Sequence, residues 1–264
     1  MSIDMGLKVA RLSATEREAL AAKLLPQLHT TYPRTRVSTL KAIANKDTFS
    51  SLELVMGVAP KGATFEVIKA QLLRAFCTGE SASTDTRLYF QHGNNQVEVQ
   101  FVEPENFDMT VDYLAYQELG RLVSKFVHAR GLSLSGRDLH YRYRFNGDIM
   151  GADLRLANSW SHALEILGMD HTRWTKGFAD FDEVFEFVAS SPLFLKSCFA
   201  VKDSEPGSRR ALRFVFAEWL EHQVLPAPVE NPLQWLFEKV PGFETRYHAV
   251  VADDQKRHGQ PAAA

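Results

Sequence analysis

Three sets of polar residues in this chain recur at a spacing of two, which places side chains on one face of a β-strand. Ser51 and Glu53 lead into the apolar run Leu54, Val55 and Met56. Gln96, Glu98 and Gln100 alternate with Val97, Val99 and Phe101. His140, Arg142 and Arg144 alternate with Tyr141, Tyr143 and Phe145, with Arg137 just outside the row. A rigid row of cations suits phosphate groups or a carboxylate-rich partner. The plainer alternative is a solvated face paired with Asp138 and, across a hairpin, Asp153. The first two sets put two carboxylates, Glu53 and Glu98, on strand faces. If their strands are neighbours, the two acids share one site.

The flanking sequence supplies elements to hold these sets. Ser13-Ala14-Thr15-Glu16 is a capping box, and Leu20, Leu24, Leu25 and Leu28 follow at helical spacing. Pro26 marks a kink or an early end of that helix. Residues 52–58 read as a buried strand. Thr64 caps a second helix with the stripe Phe65, Ile68, Leu72 and Phe76. Residues 87–92 and 96–102 form a hairpin around Gly93-Asn94-Asn95, a turn of residues that tolerate positive φ. Asp108 caps a long helix over 108–129, lined by Val111, Leu114, Leu119, Leu122, Val123, Phe126 and Val127. A second hairpin turns at Asn146-Gly147-Asp148, and helices follow over 158–167, 180–190, 208–222 and 232–240. The expected architecture is α/β. A small mixed-sheet domain over 1–107 precedes a mainly helical domain over 108–264 that carries one hairpin, and the tail is disordered from about 252.

Composition narrows the function classes. The chain has 264 residues and a net charge of −2, from 30 basic and 32 acidic residues. That balance gives no general pull toward nucleic acid, although a local basic patch remains compatible with it. Cys77 and Cys198 are the two cysteines. Their spacing excludes a disulfide framework or a cysteine-rich zinc site. No apolar run reaches the ~18–20 residues of a membrane span, and no basic-then-apolar leader opens the chain. A soluble cytoplasmic protein is expected. No Gly-x-Ser-x-Gly, His-Glu-x-x-His or P-loop pattern occurs. His162 and His171 have no further ligand at zinc spacing. Arg209, Arg210 and Arg213 open a helix and read as a solvated face.

The stretch Ser50-Ser51-Leu52-Glu53, with the apolar run behind it, resembles the metal motif of the DNA polymerase beta-like nucleotidyltransferase superfamily. There a Gly-Asp-x-Asp segment enters a buried strand, and its aspartates hold magnesium against a triphosphate. The resemblance places Ser51 and Glu53 at the two aspartate positions. It places a third acid on Val97-Glu98-Val99-Gln100, where Gln100 stands at the acid position and Glu98 is a substitute two residues earlier. The family's Gly-Ser turn falls on Leu40-Lys41. The segments 131–134, 160–168 and 177–191 resemble the helical half of some phage and fungal nucleotidyltransferase-like proteins.

The resemblance therefore implies Ser51, Glu53, Glu98 and Gln100 as the remnant of a catalytic site, with Glu53 and Glu98 as metal ligands. It implies weak or absent magnesium, because a hydroxyl ligates poorly and Gln100 offers only a neutral carbonyl. Lys41, Lys46, His140, Arg142 and Arg144 are the candidates for phosphate or nucleic-acid binding. The expected function is that of a pseudoenzyme that binds nucleotide, nucleic acid or a protein partner. Two alternatives stay open: an active magnesium-dependent enzyme using Glu53 and Glu98, and a structural or interaction protein of viral or host origin.

Overall fold

A computed structural model describes residues 9–58, 65–117, 119–145, 148–200 and 207–258. The chain divides into two compact units. One holds residues up to Gly120 together with Gly177–Asp180, and the other holds Arg121–Lys176 and the chain from Phe181 onward.

In the first unit, β1 (Leu12–Ser13) runs into α1 (Ala14–Thr31). The capping box forms: Glu16 N donates to Ser13 Oγ at 3.2 Å, and Ser13 N donates to Glu16 Oε2 at 2.7 Å. Pro26 lies inside α1 and does not end it. The burial of Leu24 and Leu28 on either side of it holds the helix together past the missing N–H. Next come β2 (Arg36–Thr39), β3 (Thr48–Phe49), β4 (Leu52–Gly57), α2 (Phe65–Phe76), β5 (Ser81–Ser83), β6 (Arg87–His92), β7 (Asn95–Val102) and α3 (Phe107–Leu114). Thr64, the expected cap of α2, lies outside the described residues.

Five strands form one mixed sheet in the order β2-β4-β7-β6-β5, and β1 pairs separately with β3. β4 runs parallel to β7, while the other neighbours are antiparallel. The expected strand and hairpin thus share a sheet. Its apolar face carries Leu52, Leu54, Met56, Leu88, Phe90, Val97, Val99 and Phe101, packed under Leu20, Leu24 and Leu28 of α1 and Ile68, Leu72 and Phe76 of α2. On the opposite face Val55 packs with Leu40 and Phe107.

The long helix expected over 108–129 is two helices. α3 stops at Leu114, and α4 (Leu119–Ala129) begins after a break. Tyr116 and Gln117 adopt left-handed φ of 52° and 61°. Tyr116 is buried, its N–H donates to Lys41 O at 2.8 Å, and its ring meets Phe178 edge-on at 4.8 Å. These tertiary contacts outweigh the helical periodicity of the sequence. Asp108 is not the cap either. Asn106 holds that position, and Asp108 in the first turn accepts from Arg36 Nη1 of β2 at 2.9 Å. Hydrogen bonding to Arg36 holds the Asp108 carboxyl below its ordinary pKa. α3 belongs to the first unit because Phe107 packs on Val55 and Leu40, so the unit extends past residue 107. Residues 177–180 are stitched to it through Ala44 N to Phe178 O at 2.9 Å and Asn45 N to Ala179 O at 2.8 Å.

The second unit starts with α4. It continues through β8 (Leu132–Leu134), β9 (Leu139–Phe145), β10 (Asp148–Ala157), α5 (Trp160–Ile166), α6 (His171–Lys176), α7 (Phe181–Ala189), α8 (Gly207–Glu221), α9 (Pro232–Lys239) and α10 (Phe243–His258). The expected hairpin is β9 with β10, and β8 extends it to three strands in the order β10-β9-β8. The tail expected to be disordered from about 252 is helical through His258. Tyr247 of α10 packs against Tyr141, Tyr143, Phe237 and Phe243, and Arg257 pairs with Asp253 at 2.6 Å one turn away. Among the described residues no helix is long and apolar enough to cross a membrane.

Three substitutions test this account. The buried Lys69 of α2 donates to Thr84 O at 2.5 Å and Asp85 O at 3.0 Å, and pairs with the exposed Glu66. Lys69→Met strands those carbonyls and is expected to cost on the order of 2–3 kcal/mol in urea unfolding. Glu66→Ala, which removes only an exposed partner, is expected to cost under about 1 kcal/mol. Gln117→Gly relieves the left-handed conformation and is expected to gain about 0.5–1 kcal/mol by the same measurement.

Candidate functional site

The polar face of the first sheet is built by the register of its strands. Parallel pairing sets Glu53 of β4 opposite Glu98 of β7, and Val55 opposite Gln100. Antiparallel pairing then sets Tyr89 of β6 opposite Glu98, and Arg87 opposite Gln100. Glu53, Glu98 and Tyr89 therefore form one row across three strands, each ~4.8 Å from the next strand. Two carboxylates side by side repel unless a cation lies between or beside them.

Arg87 supplies that cation. Its Nη1 donates to Glu98 Oε1 at 2.9 Å, and its Nε donates to Gln100 Oε1 at 2.5 Å. Gln100 Nε2 donates onward to Thr86 O and Phe101 O, both at 3.2 Å, which fixes the amide with its oxygen toward Arg87. Burial works against the Arg87 charge, but Tyr89, Glu98 and Glu53 outweigh it and raise its pKa above the ordinary guanidinium value. Burial also raises the Tyr89 hydroxyl pKa, with Arg87 opposing. A second guanidinium, Arg17 of α1, donates to Leu40 O at 2.7 Å and lies 4.8 Å over the Phe49 ring. Burial lowers its pKa, and the charge of Glu53 partly restores it. Arg87 thus pairs with Glu98 directly, whereas Arg17 is bonded to Leu40 O and feels Glu53 only through its charge.

Of the residues singled out by sequence, Glu53, Glu98 and Gln100 do come together on one face. Ser51 is buried just before β4, and its Oγ has no hydrogen-bond partner. Lys41 is an exposed loop residue whose carbonyl receives the Tyr116 N–H. Lys46 Nζ lies 4.6 Å over the Phe49 ring. His140 and Arg142 lie on the outer face of β9, in the second unit. The side chain of Arg144 lies outside the described residues, as do those of Arg209, Arg210 and Arg213.

These residues do not fit a magnesium ion. Magnesium takes oxygen ligands in tight octahedral geometry, and Arg87 already occupies one oxygen of Glu98 and the Gln100 carbonyl. A guanidinium at ion-pair distance also repels a dication. Among the described residues no three His, Cys, Asp or Glu side chains are placed to hold a metal.

Sequence reasoning missed Arg87 and Tyr89, although the signal was present. Gly93-Asn94 is a two-residue turn, with His92 opposite Asn95. Counting back from it gives Tyr89 opposite Glu98 and Arg87 opposite Gln100. Reading a three-residue turn through Asn95 hides that register. Arg17 is 36 residues from Glu53 in sequence, and no local pattern joins them. No known family model matches this chain, and no curated protein matches it in sequence.

A double-mutant cycle measures the central pair. Arg87→Met alone leaves Glu98 buried without its counter-ion and is expected to destabilise by about 2–3 kcal/mol. Adding Glu98→Gln is expected to recover at least half of that loss in urea unfolding.

Proposed function

We propose that the first unit is a nucleotidyltransferase-like module in which arginine has replaced metal, and that the protein acts by binding nucleotide, nucleic acid or a protein partner. The observation that carries this reading is Arg87, bonded to Glu98 and Gln100 on the face where the family resemblance sets its metal ligands. Nucleotidyl transfer by two metals needs ions that clamp both the attacking and the leaving oxygen. A serine at position 51 and a glutamine at position 100 remove two acids from that task, and Arg87 neutralises one that remains. The order of elements supports the same reading: a helix, then β4 parallel to a later strand β7 that carries the further acid.

The purified protein is expected to show no turnover of the four ribonucleoside triphosphates and no magnesium binding in calorimetry at sub-millimolar ion. Ser51→Asp with Gln100→Asp is expected to leave magnesium binding weak while Arg87 is present. Adding Arg87→Gln to that pair is expected to raise it. Wild-type turnover abolished by Glu53→Gln would overturn the reading in favour of an active enzyme.

A further inference from the structure

His162 and His171, which have no further ligand at zinc spacing in the sequence, meet in one cleft of the second unit. α5 carries His162 and Glu165 three residues apart, which sets them on one face of the helix, while Trp160, Ala163 and Leu164 are buried on another. The helix ends in a Schellman turn. Gly168 takes a left-handed φ of 67°, its N–H donates to Glu165 O at 3.0 Å, and Met169 N donates to Leu164 O at 2.8 Å. A Cβ at Gly168 would lie 2.7 Å from Pro192, so the neighbouring chain holds the turn as well. The turn folds the chain back along α5. An open cleft of about 470 Å³ results, lined by His162, Glu165, Met169, Asp170, His171 and Thr172.

The cleft is rich in acceptors. Glu165 and Asp170 bring two carboxylates, and an unprotonated imidazole offers an acceptor nitrogen. No lysine or arginine lines it, and among the described residues neither carboxylate has a cationic partner. The next basic residue along the chain, Arg173, is turned to Glu186 at 2.7 Å. Asp170 Oδ1 already accepts from Thr172 N at 2.8 Å, so its second oxygen is the one open to a ligand. The His171 ring stacks on the buried Trp174, with centroids 5.7 Å apart and planes at 13°, which fixes that side of the cleft. Met169 is buried and gives the cleft an apolar lining.

We infer that this cleft binds a linear polyamine, a cation whose ammonium groups are joined by methylenes. Two carboxylates without a counter-charge select a cation. The acceptors do not converge on one point, because among the described residues no three His, Cys, Asp or Glu side chains are placed to hold a metal. A space of about 470 Å³ also suits a small organic molecule rather than a bare ion. A guanidinium prefers both oxygens of one carboxylate, and Asp170 has one of its two engaged. An ammonium is a compact point charge that a single oxygen can take. Spaced ammonium groups reach Glu165 and Asp170 separately. The methylenes between them pass over Met169, whose thioether side chain adapts to such contact.

The inference concerns the second unit alone, so its failure leaves the reading of the first unit standing. Calorimetry of the full chain with spermidine at low salt is expected to give one site with a Kd on the order of 0.1 mM. Glu165→Gln and Asp170→Asn are each expected to weaken binding about fivefold, the worth of roughly one exposed ion pair. Asparagine also caps helices, so Asp170→Asn keeps the first turn of α6. The two changes together are expected to abolish measurable binding. Glu218→Gln, which removes an exposed acid of α8 outside the cleft, is expected to change nothing. Ethylamine, with its single ammonium, is expected to bind roughly tenfold more weakly than spermidine. No binding of spermidine, or binding unchanged in both cleft variants, would overturn the inference. Equal weakening by Glu218→Gln would overturn it too, in favour of diffuse attraction to an acidic surface. Tighter binding of zinc, of arginine amide or of a lysine tetrapeptide would overturn the choice of a free polyamine.

Discussion

The parallel pairing of β4 with β7 is the constraint on which the first unit depends. It is the one parallel pair in its sheet, and it sets Glu53 directly beside Glu98. A strand pair of this kind needs a crossover, here the segment carrying α2, β5 and β6. The crossover brings β6 back along the far side of β7, so Arg87 arrives opposite Gln100 and within reach of Glu98. The pairing that creates the charge conflict thus also delivers the charge that resolves it. The opposite face needs no such answer, because Leu52, Leu54 and Met56 meet only apolar partners.

The two faces of this sheet differ in what a substitution changes. On the apolar side, packing against α1 and α2 sets stability, and the cost of a change follows the volume removed. On the polar side, the acids, arginines and Gln100 form a connected group in which the state of one fixes another. Gln100 illustrates this. Its amide is oriented by Thr86 O and Phe101 O, and only that orientation offers its oxygen to Arg87. An aspartate there would bring a further negative charge beside Glu98, Glu53 and the same guanidinium. The chemistry available to this face is set by the pairing of Arg87 with Glu98 and Gln100.

The second unit handles charge differently. On the outer face of its three-stranded sheet one partly covered carboxylate, Asp138, pairs with both His140 and the exposed Arg155, and the register sets Asp153 opposite Arg142. Behind that face, Tyr141 and Tyr143 join the aromatic group completed by Phe237, Phe243 and Tyr247 from α9 and α10. That group anchors the first turns of α10, which continues as helix through His258 although the chain beyond residue 252 reads as a loose tail.

The sequence by itself determined what depends on neighbours a few residues apart. The capping box at Ser13, the alternation of β7, the apolar stripe of α2 and the β9–β10 hairpin were all legible, because each rests on local spacing. So was the period-two spacing that sets Glu98 and Gln100 on one face of β7. Tertiary structure alone decided how those residues are answered. It brought Arg17 of α1 near the charge of Glu53 and broke the helix at Tyr116 against Phe178 and Lys41. Each of these joins residues far apart in sequence, where periodicity carries no information. The charge of a buried group is settled by whatever the fold sets within a few ångströms of it, and only the folded chain specifies those neighbours.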